Sequence, residues 1–162
     1  MGLMNVLLDL AQRPIDTLDA LPEVSVEQAN AHLGGHPNSI AWLLWHTGRM
    51  ADIQLAALTG EPEVWERFDI ALPDSMGYGQ TPEEARAIAV DEASLSAVRD
   101  YVRATLEAVR DYCATLSDAA LDDIVDTNWT PHVSRGVRLV SIIDDALQHL
   151  GAANHLAGVP QG

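Results

Sequence analysis

No lysine occurs among the 162 residues of this chain. That absence excludes a Schiff-base lysine and the lysine of a phosphate-binding P-loop. Positive charge is scarce altogether: nine arginines stand against 24 acidic residues, a formal net charge of −15. Such a surplus repels the phosphates of DNA, RNA and anionic membranes and attracts cations. Cysteine is limited to Cys113, which rules out an internal disulfide. Its setting in RDYCATL suits a small buried apolar residue, and no histidine lies near it in sequence to activate a thiol. Long apolar runs are missing too: none reaches the roughly 18 residues that a bilayer span needs. The opening MGLMNVLLDLAQRPIDTLDAL has no basic start followed by a long apolar stretch. The expectation is a soluble, cytoplasmic protein with no nucleic-acid or membrane partner.

What is present is apolar sequence on a helical period. With 48% hydrophobic residues the chain can bury one good core, so residues 1–162 are expected to form a single domain. A first amphipathic segment covers about 3–20, with Pro14 as a kink or an early break. Residues 22–37 read as a polar connection. A second helix starts at the N-caps Asn38 or Ser39, after Pro37, and stops at Gly60. Residues 61–80 form a long connection with Trp65, Phe68 and the glycine-rich GYGQ, and Thr81-Pro82-Glu83-Glu84 has the order of a cap, a first-turn proline and first-turn acids. A third long helix runs from about 93 to 116 on the stripe Leu95, Val98, Val102, Leu106, Val109 and Cys113, with its arginines off the stripe as a solvated face. Residues 117–137 connect it to the last helix, with a short helical turn expected at 118–124. Only VSRGVRLVSII competes as a strand. The sum is an all-α four-helix bundle with long crossover connections and a site between its second and fourth long helices. An apolar bundle face would also allow a homodimer.

Three side chains stand out within that frame: His46, Asp145 and His149. On a helix over 138–158, Asp145 and His149 fall about 40° apart. They share a side with Ile142 and Leu156, on the flank of the stripe of Val140, Ile143, Leu147 and Leu150. Asp144, Gln148 and His155 take the opposite, solvated side. His46 sits in the middle of the stripe Trp42, Leu43, Met50, Ile53 and Ala57, with Arg49 and Asp52 off it. Spacing alone carries little weight, because six histidines and 24 acids yield about one acid-to-histidine pair at that interval by chance. Direction carries more, since a buried imidazole or carboxylate is costly unless something satisfies it, and a divalent cation does so. The other reading of His46 is a core histidine bonded to a carbonyl or a carboxylate. His32 and His36 share the same interval, but Gly34-Gly35 and Pro37 break the helix that would align them.

The stretches NSIAWLLWHTGRMAD, GYGQTPEEA and WTPHVSRGVRLVSIIDDALQHLGAANHLAG resemble the DinB-like metal-binding four-helix superfamily over nearly the whole chain. Within it they look most like the actinobacterial branch related to the N-terminal domain of mycothiol-dependent maleylpyruvate isomerase. The resemblance implies a divalent metal held by His46, Asp145 and His149. Many members carry histidine at the position of Asp145, and the isomerase-like branch carries a carboxylate there, typically the longer glutamate. The additional C-terminal domain of the isomerase is not matched, so maleylpyruvate isomerisation itself is not implied.

Two imidazoles and one carboxylate leave coordination positions open for water or substrate, and zinc suits that set best, with nickel and iron also served by it. The expected function is a thiol-dependent S-transferase that activates mycothiol or a similar low-molecular-weight thiol against an electrophilic small molecule. A metal-dependent hydrolase, with Asp52 as the one nearby acid pointing away, and a non-catalytic metal-binding stress or detoxification domain are the alternatives. Trp129, His132 and Arg135 before the last helix, and Tyr78 in the glycine-rich loop, are read as mouth-lining residues or simple surface packing. No catalytic residue is assigned.

Overall fold

Helix α3, Ile40–Thr59, organises the fold because its first two turns are apolar on every side, the mark of a helix enclosed by others. The Ser39 hydroxyl caps it by accepting from the Trp42 N–H at 3.1 Å, and Gly60 ends it in the left-handed conformation at φ 73°. In the computed structural model, which describes residues 2–160, α3 packs against α5, Glu92–Ala114, and α6, Arg135–Ala157. Helix α1, Leu3–Ala20, closes the bundle by packing on α5 and α6. These four long helices are the all-α bundle expected from the periodicity.

Pro14 does not break α1. The helix continues through it, and Pro14 is buried alongside Leu7, Ala11, Ile15 and Leu18. Packing of that stripe on two neighbouring helices outweighs the roughly 3 kcal/mol that an interior proline costs. The connections carry more structure than their polarity suggests. Residues 22–37 include α2, Val26–Asn30, opened by a reciprocal Ser25–Gln28 capping box, and a 3-10 turn at Leu33–Gly35. The crossover between α3 and α5 holds a 3-10 turn at Val64–Arg67 and α4, Pro82–Arg86, capped by Thr81 as its sequence predicts.

After α5, a 3-10 turn at Asp118–Asp122 leads into a small antiparallel hairpin of β1, Ile124–Asp126, and β2, Val133–Ser134. Only the first two residues of VSRGVRLVSII are strand; the rest starts α6, at Arg135 and not at Arg138.

Two assignments of helical faces are corrected. Val140 is exposed, and the buried stripe of α6 is Leu139, Ile142, Ile143, Ala146, Leu150 and Ala153. The arginines of α5 are not simply a solvated face: Arg99 donates to the Pro22 carbonyl at 3.1 Å, Arg103 pairs with Asp19, and Arg110 donates to Gln12 at 3.2 Å. They line the seam with α1 and its C-terminal end. Their long stems span a gap that a helical wheel of α5 alone does not contain. Among the described residues, no helix is long and apolar enough to cross a membrane.

Candidate metal centre

His46 from the second turn of α3 meets Asp145 and His149 from the middle of α6. His46 is buried, and the other two are half-buried. One ligand atom from each lies within 4.8 Å of the others, the one such group of His, Cys, Asp and Glu found among the described residues. His46 Nε2 stands 3.7 Å from Asp145 Oδ1, close to the spacing of about 3.4 Å between two ligands bonded tetrahedrally to one small cation at about 2.1 Å. The two imidazoles are tilted against each other at 58°, with centroids 4.5 Å apart.

Each imidazole has one nitrogen already spoken for. His46 Nδ1–H donates to the Met76 carbonyl at 2.5 Å, and His149 Nδ1–H donates to the Asp145 carbonyl at 2.7 Å. A ring that donates from Nδ1 presents its lone pair at Nε2, the arrangement in which histidine ligates a metal while a carbonyl fixes its tautomer. The carbonyl that would satisfy an ordinary core histidine is therefore there for His46, but it uses only one nitrogen; the other points at a carboxylate. The donor set, two imidazole nitrogens and a carboxylate oxygen, fits a borderline divalent cation.

The charges agree. Burial pushes the Asp145 carboxyl up, yet hydrogen bonds and charge from His149 and His46 outweigh it and hold the group at about 2. Burial pushes the His149 imidazole down, and Asp145 more than reverses that, so its pKa rises. An anion fixed between two imidazoles calls for positive charge, supplied either by protons or by a cation.

A strap from the α3–α5 crossover covers His46. Trp45 Nε1 donates to the Pro73 carbonyl at 2.9 Å, Arg49 Nε to the Asp74 carbonyl at 2.8 Å, and Trp42 Nε1 to Gln80 Oε1 at 2.8 Å. Gly77 turns the strap at φ 78°, and its Cα lies so close to Trp45 that an added Cβ would come within 2.7 Å of the indole. Trp42 stacks on the other side of the centre, parallel to His46.

Arg49 and Asp52, which lie off the apolar stripe, are nevertheless both buried. Asp52 accepts from the N–H groups of Val64 and Trp65 and from the Tyr101 hydroxyl, each at 2.8 Å. It points away from the triad, as the wheel has it. The cue that could have revealed this burial is that α3 is apolar all round at its start, so a charged pair one turn further has to be enclosed as well. At its other end the expected stripe opens out: Met50 and Ile53 are half-buried and Ala57 is exposed.

The remaining candidates separate from the triad. His32 and His36 do not join it; His36 Nδ1 accepts from the Asn38 N–H at 3.1 Å. His36 and the exposed His155 instead rim a groove of about 370 Å³ that runs past His149 between Leu43, Ala152 and Leu156. Arg135 is bound elsewhere, to the Ala120 carbonyl at 3.0 Å, to Asp123 at 3.1 Å and to the Tyr112 hydroxyl, so it ties the start of α6 to the 3-10 turn and to α5 and is no mouth residue. Trp129, His132 and Tyr78 are exposed. Cys113 is fully buried, and burial pushes its thiol up to about 11, so it is no thiolate at neutral pH.

Comparison with known proteins agrees with this architecture. A family model described as the DinB superfamily matches residues 9–153. The crystal structure of a conserved protein from Enterococcus faecalis is similar at 33% identity and a TM-score of 0.80, over 97% of this chain and 96% of that one. No curated protein matches. With its bundle, its matched length and this likeness taken together, the chain belongs to the DinB superfamily.

Proposed function

We propose that the protein is a divalent-metal-dependent enzyme that transfers a low-molecular-weight thiol such as mycothiol to an electrophilic small molecule, with His46, Asp145 and His149 holding the metal. The observation that carries the reading is the state of the two imidazoles: both Nδ1 atoms are engaged on carbonyls, and His46 Nε2 is directed at Asp145. The resemblance to the isomerase-related branch, in which a carboxylate stands at the position of Asp145, supports the thiol as co-substrate. Zinc is the metal the donor set favours.

When bound, such a cation would supply a thiolate, because a coordinated thiol is deprotonated at neutral pH. The protein supplies the rest. Asp145 brings a negative charge that stays ionised throughout the neutral range. Trp42 and the strap keep the inner side of His46 dry, and the half-exposed side of Asp145 and His149 leaves the approach from solvent free. The groove beside His149, with its apolar walls and two imidazoles on the rim, offers room for a small organic molecule next to the reacting centre. Hydrolysis is the weaker reading, because Asp52, the acid it would enlist, is consumed by two backbone N–H groups and Tyr101.

The test is elemental analysis of protein purified without an affinity tag, followed by conjugation assays with mycothiol, bacillithiol and glutathione against an electrophilic aromatic chloride, alongside ester hydrolysis. About one metal per chain is expected, with conjugation by at least one thiol and loss of both in His149→Ala. Metal retained in that variant would refute the ligand set; hydrolysis without conjugation would replace the reaction.

A further inference from the structure

The strongest unexplained feature of the molecule is the guanidinium of Arg49, at 1% exposure, one turn beyond His46 on α3. A charge taken out of water is costly unless its donors are all matched. Here they are: Nε and Nη2 both donate to the Asp74 carbonyl, Nη2 also to Glu63 at 2.6 Å, and Nη1 to the Tyr101 hydroxyl at 3.0 Å and towards Asp52 at 3.4 Å. The group stacks on Trp65 at 4.6 Å. A clamp needed only to join α3 to α5 would stop at Tyr101. This one spends two donors on a single carbonyl of the strap, two residues before the carbonyl that holds His46, and a third on Glu63 at the start of the same crossover.

We infer that Arg49 is a positioning residue for the centre: by fixing Asp74 it sets the Met76 carbonyl on His46 Nδ1–H and thereby turns His46 Nε2 toward Asp145 and His149. The inference rests on the ligand role given to His46 above. Lysine cannot replace the arginine, since one compact ammonium does not reach the Asp74 carbonyl, Glu63 and Tyr101 from one fixed fork. Partners of a ligating histidine's second nitrogen govern metal affinity by about 10- to 100-fold, and Arg49 acts on that partner.

The experiment compares wild type, Arg49→Lys and the milder Glu63→Gln. Zinc affinity is measured by competition with a chelator, thermal melting reports the fold, and nitrogen NMR of the metal-free proteins at alkaline pH reads the tautomer of His46. Arg49→Lys is expected to bind zinc about tenfold or more weakly at unchanged stoichiometry, and its His46 should lose the single Nδ1–H tautomer. Glu63→Gln should shift both readings the same way by a smaller factor, and it decides the matter should Arg49→Lys not fold. A lower melting temperature with unchanged affinity and an unchanged tautomer would make Arg49 a structural residue only and overturn the inference. Should wild type bind no metal, the ligand reading falls, and the tautomer alone then decides for or against Arg49.

Discussion

The indole of Trp42 lies parallel to the His46 imidazole, with ring centroids 4.5 Å apart and planes at 9°. It also tilts against His149 at 5.9 Å. Trp42 therefore touches both imidazoles of the candidate centre, and one turn of α3 supplies both the indole and the nearer ring.

That contact makes Trp42 a built-in reporter. Nickel(II) or copper(II) bound between the two imidazoles should quench its fluorescence at stoichiometric metal, because both ions quench indoles at short range. Trp45 meets Trp42 edge-on with centroids 6.4 Å apart and shares in the quenching, whereas Trp65 packs against Tyr101 and Trp129 is exposed, so Trp42→Phe should reduce the quenching without abolishing it while retaining the site. Titration of the two proteins checks this. Equal quenching in both would place the metal elsewhere.

The pH dependence of stability should reverse on metal loading. In the metal-free protein Asp145 has a depressed pKa, so its contribution is full above the usual carboxylate value of about 4 and is lost as pH falls toward about 2. His149 has a raised pKa, so its contribution is full below the usual imidazole value of about 6.5 and is lost as pH climbs through the raised value. Metal-free protein should thus melt lower as pH rises above about 6.5 through this pair. With zinc present the slope should turn the other way, since protons compete with the metal for His149 and affinity falls as pH drops. Melting curves with zinc and with a chelator measure both slopes, and parallel slopes would contradict the assignment.

The bundle, and the inward direction of each of the three side chains, are readable in the sequence because they rest on local periodicity; that the three are one ligand set is what the family resemblance implies. The caps Ser39 and Thr81, the stop at Gly60 and the inward direction of Asp145 and His149 all follow from intervals within one helix. What escaped were relations between elements. The burial of Arg49 and Asp52 depends on a crossover folding back over α3, and the β1–β2 hairpin depends on pairing across a turn that the chain does not signal by alternation. The Met76 carbonyl on His46 was equally out of reach, since a backbone acceptor 30 residues away has no side-chain signature.

Two helical glycines should respond oppositely to alanine. At Gly48 an added Cβ would stand 2.4 Å from Tyr101 Cε1, so α3 and α5 cannot keep their approach and the Tyr101 hydroxyl would be drawn off Asp52 and Arg49. Gly48→Ala should cost about 2 kcal/mol, in the range of overpacked cores. At Gly151, on the exposed side of α6, nothing lies within 4 Å, and alanine there should gain about 0.5–1 kcal/mol through helix propensity. Urea unfolding of both variants measures the contrast.

Cys113 offers a direct measure of how firmly α5 is held. Its side chain is fully buried in the cluster of Leu7, Leu55, Leu139 and Ile142, and burial raises the thiol to about 11. The thiol is thus both shielded and protonated at pH 8, and only an opening of the bundle exposes the reactive thiolate. Labelling by iodoacetamide should therefore be slow in native protein, accelerate in step with urea unfolding, and slow further when zinc is added, because a ligand of the folded state lowers the population of every open form it does not bind. Rapid labelling in the native protein would mean that α5 opens locally, without unfolding of the bundle, and would rule out its packing as described.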